Sequence, residues 1–158
     1  MAEKIIKIGG KTANINGNEL EVFIESILIR KGYQYVEKSR FKPAVFLEQP
    51  IYSSQVYAGQ SIYDTKLYCD FYIYHPELWK EGLIIESKWQ QVGGSVDEKY
   101  SFLVLNIKQK YPSKTIVLLD GGGYKKQAEE WLRQQTDDKL LKVMNMSEFQ
   151  RWANKGNL

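Results

Sequence analysis

Residues 67–90 read LYCDFYIYHPELWKEGLIIESKWQ, two apolar runs separated by a polar turn. Leu67 to Tyr74 has the aromatic and β-branched character of a strand, and Leu83 to Trp89 that of a second. HPELWKEG between them reads as a turn or short excursion, so the pair forms a β-hairpin with a long connection. The second strand passes abruptly from Leu83-Ile84-Ile85 to Glu86-Ser87-Lys88. Side chains alternate along a strand, so Glu86 and Lys88 share a face, and Gln90 joins them if the strand persists. Charges at the end of a buried strand are costly unless paired or metal-bound. The first strand carries Asp70 among Tyr68, Cys69, Phe71 and Tyr72, and pairing the strands lets Asp70 and Glu86 converge on one cation.

Outward from the hairpin, residues 1–16 read as a short leader with an edge strand at Lys4 to Ile8. Asn18 is the expected N-cap of a helix whose first turn holds Glu19 and Glu21. Leu20, Phe23, Ile24, Ile27 and Leu28 follow at helical spacing, and Gly32 ends it. Tyr33 to Val36 and Ala44 to Leu47 are expected as short strands, and Gly59 breaks the alternation of Gln55 to Tyr63.

Beyond the hairpin, Gly93-Gly94 precedes a helix from about Val96 to Lys110, which Tyr111-Pro112 stops. Thr115 to Leu119 is apolar throughout, the pattern of a parallel strand buried on both faces. A helix to about Gln135 follows, with Ala128, Trp131 and Leu132 inward. Leu141 to Met144 is a short strand, and Ser147 caps a last helix bearing Phe149 and Trp152. The expectation for residues 1–158 is one α/β domain with a mixed central sheet flanked by helices.

The 158 residues, 43% hydrophobic and 26% charged, have the balance of a water-soluble globular chain. No apolar run approaches the roughly 20 residues needed to span a bilayer. MAEKIIKIGG lacks a continuous apolar stretch for a secretory signal, and the lone Cys69 cannot form an internal disulfide. A cytoplasmic location is the expectation. A net charge of +3 permits a polyanionic partner without demanding one. Aromatic residues reach 13% and are dense between Tyr52 and Trp89, which reads as strand packing ahead of base stacking.

Two carboxylates and a backbone carbonyl, that of Ser87, form a hard-oxygen site suited to Mg²⁺, with Mn²⁺ as a substitute. This chemistry fits phosphodiester hydrolysis, in which a metal polarises phosphate and acidifies a bound water. Lys88 would stabilise the charge that develops or orient the water. The competing reading is a cross-strand ion-pair cluster, against which the flanking Ile84, Ile85 and Phe71 argue for burial.

Asp70, then fifteen residues, then Glu86-x-Lys88 resembles the PD-(D/E)xK nuclease superfamily, over roughly residues 18–135. The resemblance implies a restriction-endonuclease-like αβββαβ core, the order already read from the chain. It also implies a metal-assisting glutamate on the first helix, matched by Glu21 with Glu25 in reserve, and a polar position matched by Gln90. Catalytic roles thus fall to Asp70, Glu86, Lys88, Gln90 and Glu21, and metal contacts to Asp70, Glu86, Ser87 and Glu21. Cys69 stands where the name-giving proline would be.

Lys38, Arg40 and Lys42, with Lys99, are the candidate DNA contacts, and residues 37–66 the candidate recognition stretch. Asp120-Gly-Gly-Gly-Tyr124 lacks the Gly-Lys-Ser/Thr ending of a phosphate loop and reads as a tight strand-to-helix turn. His75 reads as a turn residue, and one His with one Cys cannot make a zinc cage. The expected function is a Mg²⁺-dependent, restriction-like DNA endonuclease acting as a homodimer or higher even oligomer. The rivals are a structure-specific or homing-type nuclease, and an inactive DNA-binding or assembly protein on the same scaffold.

Overall fold

The computed structural model describes the backbone of residues 12–90 and 99–158, and side chains from Asn18 onward within them. The elements are α1 (Thr12–Arg30), β1 (Gln34–Tyr35), α2 (Phe41–Ala44), β2 (Ile51–Gln60), β3 (Lys66–His75) and β4 (Trp79–Trp89). They continue with α3 (Tyr100–Gln109), β5 (Lys114–Asp120), α4 (Lys126–Gln134), β6 (Leu140–Met144) and α5 (Met146–Trp152). The six strands form one sheet in the order β1-β2-β3-β4-β5-β6. β2, β3 and β4 are antiparallel; β1 runs parallel to β2, and β5 and β6 run parallel to β4. Helix α1, strands β2 to β4, helix α3 and strand β5 are the expected αβββαβ core in a mixed sheet.

Each face of the sheet has its own core. Leu20, Ile24, Ile27 and Leu28 of α1 pack with Phe149 of α5 on Phe71, Ile73, Leu83 and Ile85. Tyr100, Leu103, Val104 and Ile107 of α3 pack with Leu132 of α4 on Cys69, Ile84 and Val117. The middle strands are buried on both sides, which accounts for the apolar runs Leu83 to Ile85 and Thr115 to Leu119.

Several local expectations are corrected. Helix α1 begins at Thr12, six residues ahead of Asn18, which lies inside it. Once the α1 face is anchored by tertiary packing, extending the helix costs little compared with nucleating it. Its end is as expected: Gly32, at φ +87°, closes a Schellman turn in which Tyr33 N–H donates to the Leu28 carbonyl and Gly32 N–H to that of Ile29. Ala44 to Leu47 is helical rather than strand. Pro43 suits the first turn of α2, Phe41 anchors that turn, and Phe46 and Leu47 are left exposed.

The hairpin connection is short. His75 pairs with Trp79, and the His75 Nδ1 accepts the Glu77 and Leu78 N–H groups. That cap lets β4 start at Trp79, four residues before the apolar run. Trp131 is 39% exposed, so Ala128 and Leu132 are the inward residues of α4. Helix α5 is capped by Asn145, not Ser147: Asn145 Oδ1 accepts the Glu148 N–H, and Glu148 Oε1 accepts the Asn145 N–H. The expected strand at Lys4 to Ile8 and the start of the third helix at Val96 lie outside the described residues.

Glu148 has a second duty. Its carboxylate accepts a two-pronged contact from the Arg133 guanidinium, 2.8 and 3.2 Å long, while Arg133 Nη1 also donates to the Val143 carbonyl and Nε to Glu129. One side chain therefore ties α4, β6 and α5 together. Arg133→Ala is expected to lower unfolding stability by about 1–2 kcal/mol, the range for partly solvated charged hydrogen bonds. Urea denaturation measures it; an unchanged midpoint would mean that this network is too well solvated to matter.

Candidate active site

Strands β3 and β4 carry the site at the level where the pleat of β3 fails to stay regular. Phe71 packs in the core beneath α1, yet Cys69, two residues earlier, packs in the core beneath α3. A regular strand would place both on one face. The partner strand changes phase at the same level, with Tyr52 on the α1 side and Val56 on the α3 side. Between them Gln55 adopts φ +52°, opposite Asp70 in the register defined by Ser54–Phe71 and Val56–Cys69. Asp70 sits at this double irregularity, half-buried between two well-packed neighbours.

β4 keeps strict alternation, so Ile85 faces α1 while Ile84 and Glu86 face α3. Phe71 pairs with Ile85, bringing Asp70 and Glu86 to the next level of the hairpin. Asp70 Oδ2 accepts the Ser87 backbone N–H at 2.8 Å and its hydroxyl at 3.2 Å; Gln55 Nε2 donates to Oδ1 at 3.3 Å. These three donors fix the orientation of the Asp70 carboxylate.

Glu86 is only 2% exposed. The Tyr111 hydroxyl donates to its Oε1 at 2.6 Å, and Lys88 Nζ lies 3.8 Å from its Oε2. Burial, then the Asp70 charge, pushes the Glu86 carboxyl up to about 8, with Lys88 and Tyr111 opposing. Tyr111 itself is pushed up, first by burial and then by the Glu86 charge. Tyr111 was read from the sequence only as the stop of a helix; nothing in its local pattern marks it as a partner of a residue on another element. Asp70, Glu86, Lys88, Lys99 and Tyr111 line one cleft of about 370 Å³.

Glu21 on α1 is close enough to Asp70 and Lys88 to feel both. Its carboxyl is raised first by burial and next by the Asp70 charge, while Lys88 lowers it. Glu25, one turn on, lies close to the Tyr52 hydroxyl, where its charge adds to the burial that pushes that phenol up. Gln90 is 4% exposed; its Oε1 accepts the Tyr100 hydroxyl, and its Nε2 has no partner among the described residues. Lys38 and Lys42 lie on a neighbouring groove, whereas Arg40 lines neither that groove nor the cleft.

Gln90 is fixed by the glycine turn. Its N–H donates to the Asp120 carbonyl and its own carbonyl accepts the Gly123 N–H. Gly121, at φ +104°, approaches so closely that a Cβ there would meet the Gln90 carbonyl oxygen at 2.5 Å and its carbon at 2.7 Å. Asp120 completes the turn by accepting the Gly121 and Met146 N–H groups. The stretch is thus the strand-to-helix turn expected, and it clamps the end of β4. Gly121→Ala is expected to cost about 1–3 kcal/mol from backbone strain alone, with the clash added. Thermal unfolding would show the loss; a wild-type melting temperature would mean that the turn relaxes freely.

The residues suit a hard cation. Among the described residues, no three His, Cys, Asp or Glu side chains gather into a metal cage. Mg²⁺ does not need one, being held by one or two carboxylates, waters and substrate phosphate. Asp70, Glu86 and the Ser87 carbonyl are donors of that kind, and the two carboxylates are close enough to raise the Glu86 proton affinity.

A family model described as the PD-(D/E)XK nuclease superfamily domain matches residues 12–157. The chain belongs to the PD-(D/E)XK nuclease superfamily. The match extends beyond the 18–135 stretch of the sequence resemblance, taking in the start of α1 and, at the other end, β6 and α5. Comparison with curated proteins and with solved structures gives no match. Membership establishes a nuclease domain, with nucleic acid as its class of partner and divalent metals as the ions such domains typically use. None of the helices described is long and apolar enough to cross a membrane.

Proposed function

We propose that this PD-(D/E)XK domain is a Mg²⁺-dependent endonuclease that hydrolyses DNA phosphodiester bonds, with Asp70, Glu86 and Lys88 as its catalytic residues. The observation that carries the reading is the burial of Glu86 beside Asp70. Two carboxylates so close, with one almost wholly removed from water, are an unfavourable pair that a divalent cation relieves. A purely structural ion-pair cluster would place its charges in solvent, where they cost little.

The chemistry a bound Mg²⁺ supplies is charge neutralisation on the scissile phosphate and acidification of an attacking water. Ser87 and Gln55 orient Asp70 toward that position, and Tyr111 orients Glu86. Lys88 places a positive charge where negative charge accumulates on the phosphate. Glu21, whose carboxyl feels the Asp70 charge, is assigned to assist the metal, and Gln90 supplies an amide donor, its Nε2, at the end of β4. Lys99, in the cleft, and Lys38 and Lys42, beyond it, are assigned to the DNA backbone. Restriction-like cutting of both strands takes two such sites, hence a homodimer.

The test is cleavage of plasmid and long linear DNAs of unrelated sequence in Mg²⁺, in EDTA, and by the Lys88→Ala protein. Metal-dependent cutting lost in the variant supports the assignment, and discrete fragments support restriction-like specificity. Failure on every duplex and every branched DNA would leave the inactive-scaffold reading in its place.

A further inference from the structure

Beside the cleft lies a second, larger depression of about 870 Å³, between the helical segment 38–47 and the outer part of β2 and β3. Its floor is apolar, with Phe41, Val56 and Ala58, and Phe46 stands on its wall 87% exposed. Its lining residues carry three lysines, Lys38, Lys42 and Lys80, against one acid, Glu81. Tyr68 lines both this groove and the cleft that holds Asp70, Glu86 and Lys88, so the two adjoin at that residue. Tyr57 stands next to Tyr68, with ring centroids 5.8 Å apart, and both rings are about half exposed.

An apolar floor with a lysine surround is a poor match for duplex DNA, whose base faces are hidden in the stack. It matches a strand whose bases are unstacked, since every base offers a flat face to a tyrosine while its phosphates meet lysines. Pockets that take small aromatic groups fall in this size range. We propose that the groove receives unpaired nucleotides of the DNA strand whose phosphodiester lies at Asp70 and Glu86, with Tyr57 and Tyr68 as stacking surfaces and Lys38, Lys42 and Lys80 as phosphate contacts. This rests on the nuclease reading and, in place of restriction-like cutting of a duplex, assigns as substrate DNA with a single-stranded portion at the site of cutting.

The experiment is fluorescence anisotropy in Ca²⁺, with short oligothymidylate, a blunt duplex and a duplex with a single-stranded tail. It uses wild type, Tyr57→Ala, Tyr57→Phe and Lys42→Ala, each also sedimented to measure oligomeric state and assayed for cutting in Mg²⁺. The tailed and single-stranded DNAs are expected to bind more tightly than the blunt duplex. Tyr57→Ala should lose about five-fold or more on them, the effect of one stacked base, and little on the duplex. Tyr57→Phe should keep wild-type binding, and Lys42→Ala should weaken binding and flatten its salt dependence. Both substituted positions are solvent-facing, so folding is not at stake.

Equal binding of duplex and single strand, unaffected by Tyr57→Ala, with cutting of duplex intact, overturns the groove assignment and leaves the nuclease standing. A change of oligomeric state in Tyr57→Ala without a change in DNA binding assigns the groove to a second copy of the chain and also overturns it. Absence of both binding and cutting on every DNA overturns the groove assignment and the nuclease reading together.

Discussion

Glu86→Gln is expected to abolish DNA cleavage while making the metal-free protein more stable at alkaline pH. The two effects have one cause. In the folded chain burial and the Asp70 charge push the Glu86 carboxyl up to about 8, whereas in the unfolded chain it titrates near the ordinary 4.5. Between these values the folded state holds a proton that the unfolded state has released. The group's contribution to stability is therefore complete below about 4.5 and declines as pH rises through 8. Glutamine keeps the shape and the acceptor for the Tyr111 hydroxyl but has no charge to bury.

At pH 9 the variant should melt about 5 °C or more above wild type without metal, and the gap should close toward pH 5. A divalent cation should raise the wild-type melting temperature at pH 9 and leave that of Glu86→Gln nearly unmoved. Parallel melting curves for the two proteins across pH 5–9 would show that Glu86 is not strained by its charge, and would remove the main support for the metal site.

Lys88→Ala is expected to slow single-turnover cleavage by about 10²–10³-fold, the usual effect of deleting one donor to a developing negative charge. DNA binding should change little. Lys88 is about one-third exposed and its ammonium lies 3.8 Å from Glu86, so the fold does not depend on it. The pH profile should move as well. Lys88 lowers the Glu86 proton affinity, so removing it raises that affinity further and displaces the rate profile to higher pH. Lys88→Arg should restore the position of the profile, because charge is kept, and only part of the rate, because a planar guanidinium presents its donors differently from an ammonium. A rate loss with an unmoved profile would separate Lys88 from Glu86 and assign it to phosphate contact alone.

The polar residues of the proposed centre also show how much was legible beforehand. Asp70, Glu86 and Lys88 stood out because a charge inside an apolar strand is expensive, and that expense is a local property of the chain. Glu21 ranks ahead of Glu25 on the family resemblance, although the two lie one helical turn apart on the same face. In the tertiary structure Glu25 lies near the Tyr52 hydroxyl, and Glu21 lies near enough to Asp70 and Lys88 for both charges to act on it. Tyr111 and Gln55 were invisible as partners because each reaches the site from an element whose own pattern is satisfied without it.

Local errors had local causes. Ala44 to Leu47 has strand-like side chains, but Pro43 and the buried Phe41 commit the segment to helical turns. Ser147 is a good cap by type, yet Asn145 was placed to form the reciprocal bonds with Glu148. The hairpin connection was read as too long because a histidine ring replaces the usual turn residues as the acceptor of its backbone amides.

The sequence by itself determined the order αβββαβ and the two-sided burial of β5, and it singled out Asp70, Glu86 and Lys88 as candidates. Each of these follows from periodicity and from the cost of burying charge, which act over a few residues. Only the tertiary structure decided the change of pleat phase at Gln55 and Asp70, the clamp of Gly121 on Gln90, the Tyr111 bond to Glu86 and the groove that adjoins the cleft at Tyr68. Those depend on which strands become neighbours, and the packing of distant side chains settles that.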